Sequence, residues 1–243
     1  SITDPELVLN GDFEELGDNV YDDDIDEAVN GGTWTDNGDG TFTVTGTGSP
    51  SVGVGVRDVS ASYLINENTY SWTVDGSNVS LAVYDASFSL VASGTSPLYF
   101  TATATNRLYI SPTDGVSATY SNVSVQQVDP NDRWTLGTDW SIEDGIAEFN
   151  GTTATISQNI GLITSNIYQI TFTLNINQGG IAPVLGGSVQ LDTITTSGTH
   201  TVQGTSGVNS LLYFQPVNFG GQDFQGTIDN ISVKDITFSE DVD

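Results

Sequence analysis

The chain contains no cysteine and no methionine, a single histidine, and only four basic residues: Arg57, Arg107, Arg133 and Lys234. Each scarcity removes a class of function. Without cysteine there is no disulfide framework, and with His200 as the sole imidazole a His/Cys zinc site is impossible. A Ser-His-Asp triad would need that imidazole beside a nucleophile and a carboxylate. No nucleophile-elbow motif is present, and His200, within Thr199-His200-Thr201, is expected to face solvent on a strand. Four scattered cations neither displace the counterions of a nucleic-acid groove nor hold a chain on an anionic membrane. No apolar run approaches a membrane span. The first residues carry no basic or apolar signal region; either an initiator methionine ahead of Ser1 is removed, the simpler expectation, or a signal is cleaved before it. A glycosidase needs only two suitably spaced carboxylates, but no acidic pair lies in an obvious cleft-forming strand. The chain is expected not to be an enzyme.

Acid and turn-forming residues are plentiful instead. There are 31 Asp and Glu among 243 residues, giving a formal charge of −27, and 27 glycines. Few lysines, arginines or methionines leave little to build helices from, whereas β-branched residues suit strands. The charge favours solubility and would be best screened in a salty medium. Its densest run, Asp18-Asn19-Val20-Tyr21-Asp22-Asp23-Asp24-Ile25-Asp26-Glu27, reads as a solvated loop, with contact to a basic partner as the alternative.

The chain repeats itself. Tyr120-Ser121-Asn122-Val123-Ser124-Val125 and Ile228-Asp229-Asn230-Ile231-Ser232-Val233 close two matched segments. Upstream of each, a tyrosine opens an alternating strand, Tyr70-Ser71-Trp72-Thr73-Val74 in one and Tyr168-Gln169-Ile170-Thr171-Phe172 in the other. Earlier still, Trp34 and Trp140 each precede a Gly-containing turn and another alternating strand. Period-2 alternation broken by Gly, Asn and Asp predicts many short antiparallel strands, hence an all-β chain of two tandem antiparallel β-sandwich (jelly-roll) domains. The expected limits are 1–128 and 129–238, with an acidic tail at 239–243; the boundary falls at Val128-Asp129-Pro130, where proline cannot donate to a ladder. Asn37, Asp39 and Gly40 echo a calcium loop. Thr35 stands where the first ligand belongs and Gly46 where the bidentate glutamate should be, so a hairpin turn is the better reading.

Asn10-Gly11-Asp12-Phe13-Glu14, an intervening tryptophan and a closing Asn-Val-Ser-Val strand resemble the jelly-roll carbohydrate-binding modules of glycan-degrading enzymes. Tandem, acidic, cysteine-free versions of the pattern also resemble virion structural proteins of tailed bacteriophages. The resemblance spans most of the chain and implies a capsid decoration or a tail or fibre appendage on the virion surface, present in many copies. Such a protein would dock to other virion proteins and touch host surface glycan. A secreted carbohydrate-binding module pair from a polysaccharide-active enzyme is the alternative. The same resemblance implies a structural calcium held by the opening acidic segment and an acid of the closing strand. Here those parts fall in different copies: Asp12 and Glu14 in the first, whose closing strand offers Ser121, and Asp229 in the second, whose opening lacks the glutamate. Calcium takes six or more hard oxygens, and neither copy holds the full set; otherwise Phe13 and Trp134 simply plug a sandwich end. Sugar C–H faces stack on exposed rings, which makes Trp34, Tyr84 and Trp140 the candidate ligand-binding residues. The matched places of the two tryptophans favour core packing for both, and Tyr84, beside the Asp85 turn, is expected to be the more exposed.

Overall fold

The computed structural model describes residues 5–21, 32–46, 55–59 and 64–237, and these are all strand, turn and loop. The acidic run beyond Tyr21 and the tail at 239–243 lie outside the described residues. The chain divides into two compact units: an inserted unit, Leu16–Val128, and a host unit made of Ser1–Glu15 together with Asp129–Asp243. The sequence expectation of a first domain at 1–128 is thereby corrected. The first fifteen residues belong to the second sandwich, and the rest of the first copy is inserted within it.

The inserted unit holds β1 (Leu16–Asn19), β2 (Thr33–Asp36), β3 (Phe42–Thr45), β4 (Gly55–Val59), β5 (Thr69–Asp75), β6 (Val79–Asp85), β7 (Leu90–Gly94), β8 (Leu98–Thr101), β9 (Asn106–Pro112) and β10 (Ser117–Val128). One sheet runs β2-β3-β10-β5-β8, with β1 also on β10, and the other runs β4-β9-β6-β7. Alternation puts Trp72, Val74, Leu81, Val83, Leu108 and Ile110 into a single core between them. The β2–β3 connection is the expected hairpin turn: Asp36 caps the Gly38 N–H, Asp39 accepts from the Thr41 N–H and hydroxyl, and Gly38 and Gly40 take positive φ.

The host unit contains β11 (Thr135–Leu136), β12 (Trp140–Glu143), β13 (Ile146–Phe149), β14 (Ile156–Asn159), β15 (Ile167–Gln178), β16 (Gly180–Leu185), β17 (Val189–Gln190), β18 (Gly198–Thr205), β19 (Leu211–Val217) and β20 (Gln225–Asp235). Its sheets run β12-β13-β20-β15-β18 and β11-β14-β19-β16-β17. Both units keep a tyrosine that the sequence motifs only partly disclosed. Tyr70 accepts the Ile65 N–H and Tyr168 the Ile163 N–H, each at 2.8 Å, within Leu64-Ile65-Asn66-Glu67-Asn68-Thr69-Tyr70 and Leu162-Ile163-Thr164-Ser165-Asn166-Ile167-Tyr168. Glu67 and Ser165 occupy the same place in these turns and take φ of 72° and 70°.

The paired Asn-Val/Ile-Ser-Val motifs have a backbone cause. Asn122 and Asn230 sit in left-handed conformation, at φ 50° and 51°, inside bulges of β10 and β20. Asparagine tolerates that region better than most side chains. Each bulge lets one strand edge change partners. Before it, β10 pairs with β3 and β20 with β13. After it, β10 takes β1, whereas β20 takes the N-terminal segment, with Leu7 N–H on the Val233 carbonyl and Ile231 N–H on the Gly11 carbonyl. The approach is so close that a side chain at Gly11 would meet the Ile231 oxygen at 2.0 Å, so only glycine fits.

The rest of the host unit grips this segment through side chains. Buried Gln158 pairs with both backbone groups of Leu9 at 2.8 Å, and Trp134 Nε1 donates to the Asn10 carbonyl at 2.8 Å. The Glu6 carboxylate accepts from the Val233 N–H and the Ser232 hydroxyl. Phe13, 1% exposed, packs against Trp134 at 5.3 Å, which bears out the reading of that pair as a plug.

Deleting residues 1–15 therefore removes a buried phenylalanine and orphans a buried amide. Those two losses alone amount to about 4 to 8 kcal/mol, against the roughly 5 to 15 kcal/mol that holds a typical domain. Calorimetry of a chain beginning at Leu16 should show the host-unit transition lost or greatly lowered and that of the inserted unit kept. An unchanged pair of transitions would disprove the role given to the segment.

Candidate functional site

Two places gather chemistry. The first is the host-unit end where the opening segment meets β20. The insertion brings Asp12 and Glu14 into the same unit as Asp229, so the parts that sequence divided between copies are reunited. Burial pushes the Asp229 carboxyl above its ordinary range, the Asn230 N–H offsets part of this, and the neighbouring Asp12 charge raises it further. Asn230 also donates its side-chain amide to Asp229 at 2.7 Å. Glu14 lies over Gly145 of the β12–β13 turn, and Glu143 is raised by burial and by the Glu148 charge. Among the described residues, however, no three acidic or histidine side chains are gathered as a metal shell. The carboxylates alone fall short of a calcium site, and any such ion would need backbone oxygens as well.

The second place is the outer face of β4-β9-β6-β7. Val79, Leu81 and Val83 of β6 and Leu108 and Ile110 of β9 point into the core, so Ser80, Ala82, Tyr84, Arg107 and Tyr109 occupy the opposite face. Tyr84 lies directly across from Arg107, and Ala82 from Tyr109. The rings of Tyr84 and Tyr109 meet edge to face at 5.3 Å and 89°. Leu90 of β7 is also opposite Tyr84 and is 56% exposed. Beside it, Phe88 is 64% exposed, with the Arg107 guanidinium carbon 3.8 Å from its ring centre. Exposed apolar surface around paired rings and an arginine is the composition expected of a binding surface.

The corresponding face of the host unit is different. Tyr213, in Leu212-Tyr213-Phe214, matches Tyr109 in Leu108-Tyr109-Ile110, but lies across from Val184. Gly186 and Leu211 stand where Tyr84 and Arg107 would be, joined by the Gly186 N–H on the Leu211 carbonyl. Tyr213 directs its hydroxyl to the Gly187 carbonyl at 3.0 Å. The aromatic face is thus a property of the inserted unit.

Of the sequence candidates, Tyr84 alone lies on this face. Trp34 is half-buried, stacks on Phe42 and donates to the Tyr120 hydroxyl at 2.9 Å. Trp140 is 7% exposed, packs on Phe149 and donates to the Ala154 carbonyl, so its ring serves the core. His200 differs from expectation: it pairs with buried Phe172 on edge strand β18, is half-buried, and sits 2.8 Å from the Thr196 carbonyl. Sequence reading missed Arg107, Tyr109 and Phe88. Tyr109 was legible, because Leu108 and Ile110 on either side claim the inward phase; Phe88 was not, because nothing local marks which way a turn residue points.

No family model matches the chain, and no curated protein does. Among solved structures it is similar to the N-terminal CBM22-1-CBM22-2 tandem domain of Paenibacillus barcinonensis Xyn10C, at 8% identity over 91% of this chain and 98% of that one, with a TM-score of 0.34. It is also similar to a conserved protein of unknown function from Pseudomonas aeruginosa PAO1, at 11% identity over 84% and 88%, with a TM-score of 0.22.

The raised Asp229 sets a pH dependence with a definite sign. Its folded pKa lies above the unfolded value, so the folded state holds the proton more tightly, and stability from this group rises as pH falls through the folded value. In metal-free buffer, Asp229→Asn should raise the melting temperature of the host unit at neutral pH, and the difference should vanish below the ordinary carboxylate range. A variant that melts lower at neutral pH without metal would contradict the unfavourable setting of the Asp229 charge, buried and beside Asp12.

Proposed function

We propose that the protein is a glycan-binding module pair in which the inserted unit takes the ligand and the host unit is its scaffold. The observation that carries this reading is the edge-to-face pair Tyr84 and Tyr109 on an outer sheet face, with Arg107 across from Tyr84. Ring faces and edges accept the C–H surface of a sugar, and the Arg107 cation borders the same rings. The outer face of the host unit, with Gly186 and Leu211 in the matching places, supports a division of labour between the copies.

The setting carried forward from the sequence is display in many copies on a phage particle, where the host unit would dock to other virion proteins; a secreted module pair is the other setting. Mass spectrometry of purified particles separates them, since the first requires this chain in the particle. Binding itself is tested on a glycan array and by affinity electrophoresis. Tyr84→Ala should weaken whatever glycan the parent binds by tenfold or more, about 1.4 kcal/mol, with little change in melting. A parent that binds no glycan, or a variant that binds as well as the parent, ends this reading.

A structural calcium at the Asp12, Glu14 and Asp229 end is a separate proposal, supported by the meeting of these acids in one unit. An ion there would neutralise Asp12 against Asp229 and stabilise the folded state by mass action. Calcium added to chelator-treated protein should raise the host-unit transition by several degrees, and Asp229→Asn should abolish the rise. The absence of any shift would dispose of it.

A further inference from the structure

Twelve non-glycine residues among those described adopt positive φ, and eight of them are Asn or Asp, for which the cost is small. Two are phenylalanines. Phe13, at φ 54°, is buried against Trp134, so packing offsets its backbone. Phe88, at φ 60°, is mostly exposed, so no burial does the same for it.

The turn that holds Phe88 does not require a ring. Asp85 closes it by accepting the Ser87 N–H at 2.8 Å and the Ser89 N–H at 2.9 Å, and the Phe88 N–H reaches the Asp85 carbonyl. Glycine would make the same backbone contact without strain. The ring packs on Arg107, which lies across from Tyr84 on the aromatic face. An exposed side chain kept in a costly conformation, beside a candidate site, is the pattern that ligand contacts leave on a backbone.

We propose that Phe88 is a sugar-contacting ring that completes the Tyr84–Tyr109–Arg107 face, and that this face takes an uncharged glycan; the proposal rests on the glycan-binding reading above. Net charge selects the ligand class. At −27, the protein repels a polyanion, and does so more strongly as salt falls. An uncharged sugar chain meets no such barrier. It offers C–H faces to Phe88 and the tyrosines, and its affinity does not depend on ionic strength.

The test uses the full chain, a panel of neutral polysaccharides (xylan, mannan, laminarin) and charged ones (alginate, carrageenan), at low and high salt. Phe88→Gly should melt at or above the parent temperature, because the backbone is relieved, yet bind the neutral ligand at least tenfold more weakly, while Phe88→Trp retains binding. Phe88→Gly that binds within about twofold of the parent, while Tyr84→Ala loses binding, overturns the role of Phe88 and leaves the glycan reading standing. A Phe88→Gly chain that melts several degrees lower makes the ring structural and overturns it as well. Preference for alginate or carrageenan overturns the ligand class alone. A parent that binds nothing in the panel or on the array removes the glycan reading itself.

Discussion

A long strand at the centre of a sheet must have both edges satisfied, and in this protein that demand shapes everything else. β10 and β20 run through the middle of their sheets, and each is interrupted by a bulge on a left-handed asparagine. Beyond the bulge a different partner is needed on one edge. The inserted unit finds one in β1, next along the chain from Glu15, whereas the host unit must reach back to Leu7–Gly11. The insertion of one unit in the chain of the other follows from that requirement. So does the cluster of side chains around it: Gln158 in place of a neighbouring strand, Trp134 on Asn10, and Glu6 on Ser232 and Val233.

The same constraint brings Asp12 beside Asp229. Asp12 and Glu14 travel with the segment that completes β20, and Asp229 stands at its bulge. Gly11 permits the closest approach and Phe13 anchors the turn that follows. Asn10-Gly11-Asp12-Phe13-Glu14 is therefore read most simply as a docking segment. The mutual repulsion of Asp12 and Asp229 is a by-product of the docking.

Much of the fold could be read in the residues. Alternation in Val79–Tyr84 and Tyr168–Leu174 gives both strand and inward face, and the closing motifs name the bulged strands. The partner of the opening segment could not be read, because pairing across more than two hundred residues leaves no local trace. Sequence order suggested tandem copies, and only long-range hydrogen bonding shows that one unit interrupts the chain of the other. At the candidate site, Tyr84 was legible from its place beside a turn. The outward phase of Tyr109 was legible too, but its place beside Tyr84, like that of Arg107, needed the register of β6 against β9, and Phe88 needed its φ angle. The two tryptophans could be read either as ligand rings or as core, because a large ring in an alternating strand announces its area but not its direction; hydrogen bonds to Tyr120 and Ala154 account for both indoles.

The insertion also bears on how the protein is made. On the ribosome the docking segment emerges first, but the strand it must pair with lies more than two hundred residues later. At about 5 to 20 residues per second, Leu7–Gly11 waits roughly ten to forty seconds for β20. During that interval the inserted unit, whose strands are all contiguous, can form its core and draw Glu15 and Asp129 close together. The closure of the host unit then becomes a short-range event rather than a search across the whole chain. Folding of the inserted stretch thus shortens the loop that the host unit has to close.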